Sequence, residues 1–338
     1  MELPDPVLSA NVYCAGRLDE LMQNAIVPFW RDLGATGVEH RSYLWVLRYG
    51  RRGEHLKLRI HSPESCRCHH LQDLLARSIH GYFSTIKESL ARPSLREKGE
   101  APPIDLEDED PARADDCTLL WTTYRRSPIS LGSRAMLADD QYVGCLTRAL
   151  ACGLESAIEI FNSAASPQSL RRNTLLKMLI SALAVSEFQA SQRLNYLVYH
   201  RDWLLRVAIV TSGLDFADSG KLLEDLDRQV EKVGPGIEIL KQAVDREWSN
   251  AGESGTSYLS WRHAIEELCL CLGLYRENPD LDPDPFAEDL VFLPFFKVIH
   301  GLSNQLGLRR LEEAFSIHLL LRAAGGDSPE RGIRFIPA

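Results

Sequence analysis

The residues of this chain best suited to chemistry alternate along Leu44–Pro63, where two apolar runs flank a short Gly/Arg-rich turn. This pattern predicts a β-hairpin. Aliphatic side chains in the second run alternate with His55, Lys57, Arg59 and His61. Because successive side chains of a strand point to opposite faces, we expect one aliphatic face and one basic face. A basic face suits an acidic or strongly polar ligand, and the alternative is a charged edge strand that resists aggregation.

A pair of arginines forms a second candidate site. Arg125 and Arg126 directly follow a predicted strand, Thr118–Tyr124. Paired guanidinium groups at the end of a strand suit a carboxylate, a phosphate or several peptide carbonyls. The alternative is an ordinary solvated turn.

The third candidate lies in the helical segment Asn195–Arg206, which is rich in aromatic residues. Tyr196, Tyr199 and Trp203 share one face at helical spacing, and His200 lies beside them. Such a stripe belongs either to a packed core or to the wall of a peptide groove at a break between two helices.

The fourth candidate is a polar group near the end of the chain. His300, Ser303 and Asn304 are spaced so that they face the same way on a helix. A single histidine on an apolar helix can be a core residue with its hydrogen bonds satisfied. The added hydroxyl and amide groups favour a pocket.

The elements that must position these residues are strands first and helices later. Predicted strands at Leu8–Cys14, the hairpin and Thr118–Tyr124 accompany helices at Leu18–Leu33, which Pro28 should kink or end, and Leu71–Leu90. Helices then follow almost throughout, at Asp139–Ala165, Ser169–Asn195, Asp202–Thr211, Gly220–Trp248 (broken near Pro235), Ser257–Glu277, Phe286–Leu306 and Arg309–Ala324.

This order predicts an α+β protein in which a small antiparallel or mixed sheet with packed helices precedes a mostly helical half. We expect one domain over residues 1–338, with the sheet in 1–132 and the helices in 133–338. A Pro- and acid-rich loop over 93–116 interrupts the first part.

Composition excludes several classes of protein. The net charge of −9 argues against general nucleic-acid binding. No apolar run approaches the roughly 18 residues of a membrane helix, and no secretory signal begins the chain, so we expect a cytoplasmic protein that does not bind membranes. The eight cysteines are then expected to be reduced, and no metal site is expected.

Taken together, the motifs resemble the C-terminal elimination domain of lantibiotic dehydratases, over almost the whole chain. The family commonly has Arg-Tyr followed by His-Leu-Arg-Leu-Arg, where this chain has Arg48-Tyr49 and then His55, Lys57 and Arg59. The family often ends with His-x-x-x-Asn-Arg-Leu-Gly, where this chain has His300, Asn304, Gln305, Leu306 and Gly307.

The departures from the family pattern concern its basic residues. Lys57 and Gln305 stand where arginines are usual, and Arg125 follows Tyr124 where an acid is usual. The family's large glutamylation domain has no counterpart in these 338 residues. A diverged, stand-alone member of this kind resembles a thiopeptide pyridine synthase.

The resemblance implies a reaction on a ribosomally made precursor peptide that carries a leader, thiazoles and two dehydroalanines. A formal 4+2 aza-cycloaddition joins the two alkenes, and loss of water and of the leader amide gives a pyridine within a macrocycle. No metal or redox cofactor is implied, and contact with other biosynthetic enzymes is a further expectation. Positioning of the two alkenes and proton transfers would supply the catalysis.

The resemblance also implies roles for particular residues. His300, Arg59 and Tyr258 are the predicted catalytic residues, with His300 as the acid and base, and one cavity is expected to join the basic strand to the His300 helix. The predicted substrate-binding residues are Arg48, His55, Lys57, Tyr124, Arg125, Arg126, Tyr199, His200, Ser303 and Asn304. The alternatives are a stand-alone glutamate-elimination lyase and a noncatalytic peptide-binding scaffold.

Overall fold

Alternating side chains produce a four-stranded antiparallel sheet in the first part of the chain. A computed structural model describes residues 8–35, 43–49, 54–61, 68–86, 117–122, 140–162, 167–186, 188–212, 219–249, 258–276 and 287–326. The strands are β1 (Leu8–Tyr13), β2 (Tyr43–Tyr49), β3 (His55–His61) and β4 (Thr118–Thr122), in the spatial order β2-β3-β1-β4. The predicted hairpin is confirmed as β2 and β3.

The aliphatic face of the sheet is buried against helices. Leu56, Leu58 and Ile60 of β3 lie in one apolar core with Leu44 and Val46 of β2. The helices that contribute to this core are α1 (Leu18–Leu21), a π-helical turn (Met22–Ile26), α2 (Val27–Ala35), α3 (Cys68–Ile86) and α4 (Asp140–Asn162). The period of two along β3 therefore decides which side chains enter the core.

Pro28 does not end the helix in which it lies. The chain passes from α1 through the π-helical turn and continues as α2 to Ala35. Because proline has no backbone N–H, Pro28 interrupts the regular α-helical hydrogen-bond ladder. The wider π-helical turn, Met22–Ile26, lies in the residues just before this interruption.

The remaining helices are α5 (Gln168–Val185), α6 (Ala190–Ser212), α7 (Ser219–Val233), α8 (Gly236–Ser249), α9 (Leu259–Arg276), α10 (Ala287–Gln305) and α11 (Arg310–Ala323). The predicted break near Pro235 is confirmed between α7 and α8. α11 is buried on every side from Glu313 to Leu321, as expected for a helix at the centre of a bundle.

The predicted boundary between Ser169–Asn195 and Asp202–Thr211 is wrong. The break lies earlier, between Val185 and Ala190, and α6 runs unbroken through Tyr199 and His200. At this break the Ser186 hydroxyl donates to the carbonyl of Leu183, and the Gln192 side chain accepts from the Gln189 N–H. These local polar bonds replace helical ones, which explains why the apolar pattern alone misplaced the boundary.

The described residues form two compact units. The first contains β1–β4, α1–α4 and Asn304–Gly307, and the second contains α5–α9, α10 up to Ser303, and α11. The α+β class and the order of strands before helices are confirmed. A single domain over 1–338 stays a prediction. Within the described ranges, no helix is long and apolar enough to cross a membrane.

Candidate functional site

The predicted basic face of β3 is buried in the first unit. His55, Lys57 and Arg59, which we call the cationic strand row, are 0%, 3% and 2% exposed. The alternative of a charged edge strand is wrong, because β3 lies between β2 and β1. The side chain of His61 lies outside the described residues. Burying basic groups is costly in free energy, so these three residues are not an ordinary solvent-exposed strand face.

Polar and aromatic neighbours surround the cationic strand row. In the antiparallel register, Tyr13 lies opposite His55 and their rings stack with centroids 4.6 Å apart. The Arg59 guanidinium lies over the ring of Trp45, 6.0 Å from its centroid, and donates to the carbonyl of Leu58. Donors held this way could bind carbonyl oxygens or stabilise developing negative charge.

Arg48 and Asn304 contact each other through the backbone of β2. The Asn304 amide accepts from the Arg48 N–H, and its Nδ2 donates to the Arg48 carbonyl at 3.1 Å. The Arg48 guanidinium pairs with Asp19 and lies 5.6 Å from the ring centroid of Phe161. These contacts stabilise β2, an edge strand of the described sheet. A role of Arg48 or Asn304 in substrate binding stays a prediction.

His300 belongs to a hydrogen-bonded chain in the second unit. Its Nδ1 lies 2.8 Å from one carboxylate oxygen of Glu313, and His200 Nε2 lies 2.8 Å from the other. His200 Nδ1 lies 2.9 Å from the hydroxyl of Tyr196. We call Tyr196, His200, Glu313 and His300 the imidazole–carboxylate chain. Three helices supply its members: α6, α10 and α11.

Solvent exposure differs sharply along the imidazole–carboxylate chain. The side chains of His200 and Glu313 are 0% and 1% exposed, whereas that of His300 is 24% exposed. The three inner members are therefore shielded from solvent, and His300 is the member that a ligand can reach.

Aromatic rings hold the orientation of the two imidazoles. Phe296 stacks on His300 with an interplanar angle of 12° and centroids 5.4 Å apart, and Trp203 lies 5.9 Å from His300. Phe296 also meets His200 edge-on at 4.5 Å. Tyr199 lies against Phe292 and Phe296, so the aromatic stripe predicted along α6 contributes to packing.

The electrostatics of this chain keep Glu313 ionised. Burial by itself would raise the pKa of Glu313, but the charge on His300 and hydrogen bonds from both histidines lower that pKa to about 2. Burial lowers the pKa of His200, although its hydrogen bond to Glu313 opposes this shift. Burial, followed by the charge of Glu313, raises the pKa of Tyr196. A carboxylate, a neutral imidazole and a neutral phenol are thus the expected inner groups at pH 7.

The other predicted site residues are placed differently. Ser303 is fully buried, and Tyr258 directly precedes α9 with φ of 68°, a left-handed conformation that bulky residues rarely adopt. Tyr124, Arg125 and Arg126 lie outside the described residues. Within the part of the chain that the structure describes, no group of three or more His, Cys, Asp or Glu is arranged to hold a metal ion.

Sequence reasoning missed Glu313, because an acidic residue at this position has an ordinary structural explanation. Acidic residues are common in the first turn of a helix, where they favour the positive end of the helix dipole. Glu312 fulfils that expectation, since its side chain accepts from the Arg309 N–H at 2.8 Å. Its neighbour Glu313 points into the core instead. The mostly apolar residues that follow Glu313 were the only sign in the sequence that its side chain is buried.

Comparisons with known proteins agree with the fold. The sequence profile of the family described as "Lantibiotic biosynthesis dehydratase C-term" matches residues 8–324. The structure is similar to "Pyridine synthase, TbtD, from thiomuracin biosynthesis", with a TM-score of 0.60 and 17% identity over 94% of this chain and 97% of that chain. None of the curated protein sequences matches.

Two further solved structures share the fold at lower similarity. TsrL gives a TM-score of 0.52 with 12% identity over 93% of each chain. The tRNA-dependent lantibiotic dehydratase MibB from Microbispora sp. 107891 gives 0.50 with 12% identity, over 94% of this chain and 27% of that chain. At identities this low, these structural similarities show a common fold only.

Proposed function

This chain belongs to the lantibiotic biosynthesis dehydratase C-terminal family, and on that premise we propose that it is a thiopeptide pyridine synthase. Its substrate would be a ribosomally made precursor peptide that carries a leader, thiazoles and two dehydroalanines. The similarity in fold to a pyridine synthase over 97% of that chain supports the proposal. The observation that carries it is the partly exposed His300 paired with the buried carboxylate of Glu313.

The proposed reaction needs proton transfers but no change in oxidation state. An amide N–H proton moves to its own carbonyl oxygen, and the resulting iminol forms an azadiene with the adjacent dehydroalanine. Two carbon–carbon bonds then form to the second dehydroalanine. Loss of the iminol oxygen as water and of the leader as a carboxamide, each with one ring C–H proton, leaves the aromatic pyridine.

His300 is suited to these transfers. An imidazole takes and returns protons near neutral pH, and a positioned acid–base group contributes about 10²–10⁴-fold to a rate. The Glu313 carboxylate stabilises the imidazolium that forms when His300 takes a proton. Both eliminations need a base for the C–H proton and an acid for the leaving group, and one histidine can serve in turn as each.

We further propose that Arg59, with His55 and Lys57, binds substrate carbonyls and stabilises charge on them. These side chains are almost completely buried, so a substrate would reach them only where neighbouring groups move aside, and its interactions with them would then be strong because water is excluded. Tyr258 remains a proposed proton donor, and its left-handed backbone is consistent with a functional position.

The direct test is incubation of the protein with a linear, leader-bearing thiazole peptide that contains both dehydroalanines. A pyridine synthase releases a macrocycle and a leader carboxamide, and their masses plus one water equal the mass of the substrate. A control peptide with alanine in place of one dehydroalanine should remain unchanged. Conversion of glutamylated Ser or Thr alone would indicate a glutamate-elimination lyase, and bound but unchanged peptide would indicate a scaffold; either result overturns the proposal.

A further inference from the structure

The partners along the imidazole–carboxylate chain determine where its protons lie. Each oxygen of Glu313 faces one ring nitrogen at 2.8 Å: His200 Nε2 on one side and His300 Nδ1 on the other. An ionised carboxylate can only accept hydrogen bonds. Both of these nitrogens therefore carry a hydrogen and donate it to Glu313.

The inner end of the chain is consistent with this assignment. A neutral His200 with its hydrogen on Nε2 has a lone pair on Nδ1, and the Tyr196 hydroxyl lies 2.9 Å from that atom. The hydroxyl of Tyr196 is therefore the donor. One negative charge on Glu313 then accepts two imidazole hydrogens, and each buried polar atom named here has a partner of the right kind.

The outer end leaves one atom available for chemistry. His300 donates from Nδ1, so its neutral ring has a lone pair on Nε2. Nδ1 is engaged by a carboxylate that is 1% exposed, whereas 24% of the His300 side chain as a whole is exposed. Among the residues that the structure describes, none forms a hydrogen bond with Nε2 of His300.

We propose that Glu313 is a positioning residue that holds His300 as the Nδ1–H tautomer, which makes Nε2 the atom that takes and returns the proton. This inference rests on the proposed function. In each transfer the substrate proton moves to Nε2, the imidazolium keeps its hydrogen bond to Glu313, and the proton then leaves Nε2 for the departing group. Tyr196 and His200 are a second positioning pair that engages the other oxygen of Glu313.

The tautomers can be observed without any substrate. Two-bond proton–nitrogen NMR spectra of the protein labelled with ¹⁵N-histidine distinguish the two tautomers, and the His300→Asn variant identifies the His300 signal by its loss. We expect neutral His300 to carry its hydrogen on Nδ1 and His200 to carry its hydrogen on Nε2. Histidine free in water favours Nε2–H, so an Nε2–H signal for neutral His300 would overturn the proposal.

The variant Glu313→Gln tests the consequence for the reaction. An amide has only one accepting oxygen and no charge, so it cannot accept from both rings or stabilise the imidazolium of His300. We expect kcat to fall by about 10²–10⁴-fold with little change in KM.

The matched control is Asp227→Asn, the same change of carboxylate to amide beside another buried histidine. Asp227 pairs with His318 at 2.9 Å and with no member of the imidazole–carboxylate chain among the described contacts. The Asp227→Asn variant should leave kcat unchanged. An unchanged kcat in a folded Glu313→Gln variant would overturn the positioning role.

These results separate the positioning role from the proposed function. Expected tautomers in a protein that forms no macrocycle would refute the pyridine synthase and leave the arrangement of protons supported. A macrocycle formed by a protein whose neutral His300 carries Nε2–H would support the pyridine synthase and refute the positioning role of Glu313. If Glu313→Gln does not fold, the wild-type spectrum alone decides, and Tyr196→Phe should change the His200 signal while keeping His300 as Nδ1–H.

Discussion

The cationic strand row and the imidazole–carboxylate chain are both buried polar groups, but they are built in opposite ways. The first consists of alternate residues of one strand, His55, Lys57 and Arg59, and therefore stands out in the sequence. The second gathers residues from three helices around the single carboxylate of Glu313. A local repeat can place several like groups on one face, whereas pairing an acid with two imidazoles requires tertiary packing.

The two clusters also differ in access. All members of the cationic strand row are almost completely buried, while the imidazole–carboxylate chain ends at the partly exposed His300. The first arrangement suits fixed donors in a dry environment, and the second suits a group that exchanges protons with a ligand. Substitutions in the two clusters should therefore have different effects.

The largest effect is expected at the exposed end of the imidazole–carboxylate chain. His300→Ala should reduce turnover by about 10²–10⁴-fold, because it removes the proposed acid and base. The rate of macrocycle formation, followed by mass spectrometry, measures the loss, and thermal unfolding verifies that the variant is folded. The matched control His263→Ala removes an exposed histidine of the same unit and should keep full turnover. Full activity in a folded His300→Ala variant would refute the site assignment.

The two faces of β3 should respond differently to substitution. Leu58→Ala should lower the free energy of unfolding by about 2–5 kcal/mol, since Leu58 is fully buried in the apolar core. Arg59→Met retains most of the side-chain volume, so the free energy of unfolding should fall less than in Leu58→Ala, while turnover falls. Urea unfolding and turnover assays on the two variants measure the contrast. A strongly destabilised Arg59→Met variant would indicate that the cationic strand row is needed for folding.

Acid should destabilise the second unit through Glu313. Its pKa is about 2 in the folded protein against an ordinary 4.5, so the unfolded chain binds the proton first as pH falls. The stabilisation, about 3 kcal/mol, is complete above pH 4.5 and is lost between pH 4.5 and 2. His200, whose pKa burial lowers, adds a loss that begins below pH 6.5.

Urea unfolding of the wild type and of Glu313→Gln at several pH values measures this contribution. The variant should lose less stability than the wild type between pH 4.5 and 2. Glu231→Gln, which changes an exposed acid of α7, is the control and should follow the wild type. Parallel curves for all three proteins would contradict the ionised state of Glu313.

The smallest effect is expected where Asn304 fastens β2. Asn304→Ala removes one acceptor for the Arg48 N–H and one donor to its carbonyl, which should cost about 1–2 kcal/mol of unfolding free energy. Hydrogen exchange of the Arg48 amide should become faster. An unchanged exchange rate would show that these two bonds do not protect the strand.

Much of the fold could be predicted because its signals are local. The strands β1–β4 and the break near Pro235 follow from alternation, helical periodicity and a Gly-Pro-Gly turn. The errors arose where short polar contacts outweighed those patterns, as at Ser186 and Gln189 before α6. Of the candidate site, His300 and His200 were predicted singly, and their connection through Glu313 was not.

The sequence by itself determined that β3 has an aliphatic and a basic face, because a strand repeats every two residues and needs no partner to do so. Only the tertiary structure decided what those faces meet and which acid pairs with His300. Glu313 lies 13 residues from His300 and 113 from His200, and no local period links such separations. The two imidazoles then lower the pKa of this carboxylate against the opposing effect of burial, since charge and hydrogen bonds act strongly where water is excluded.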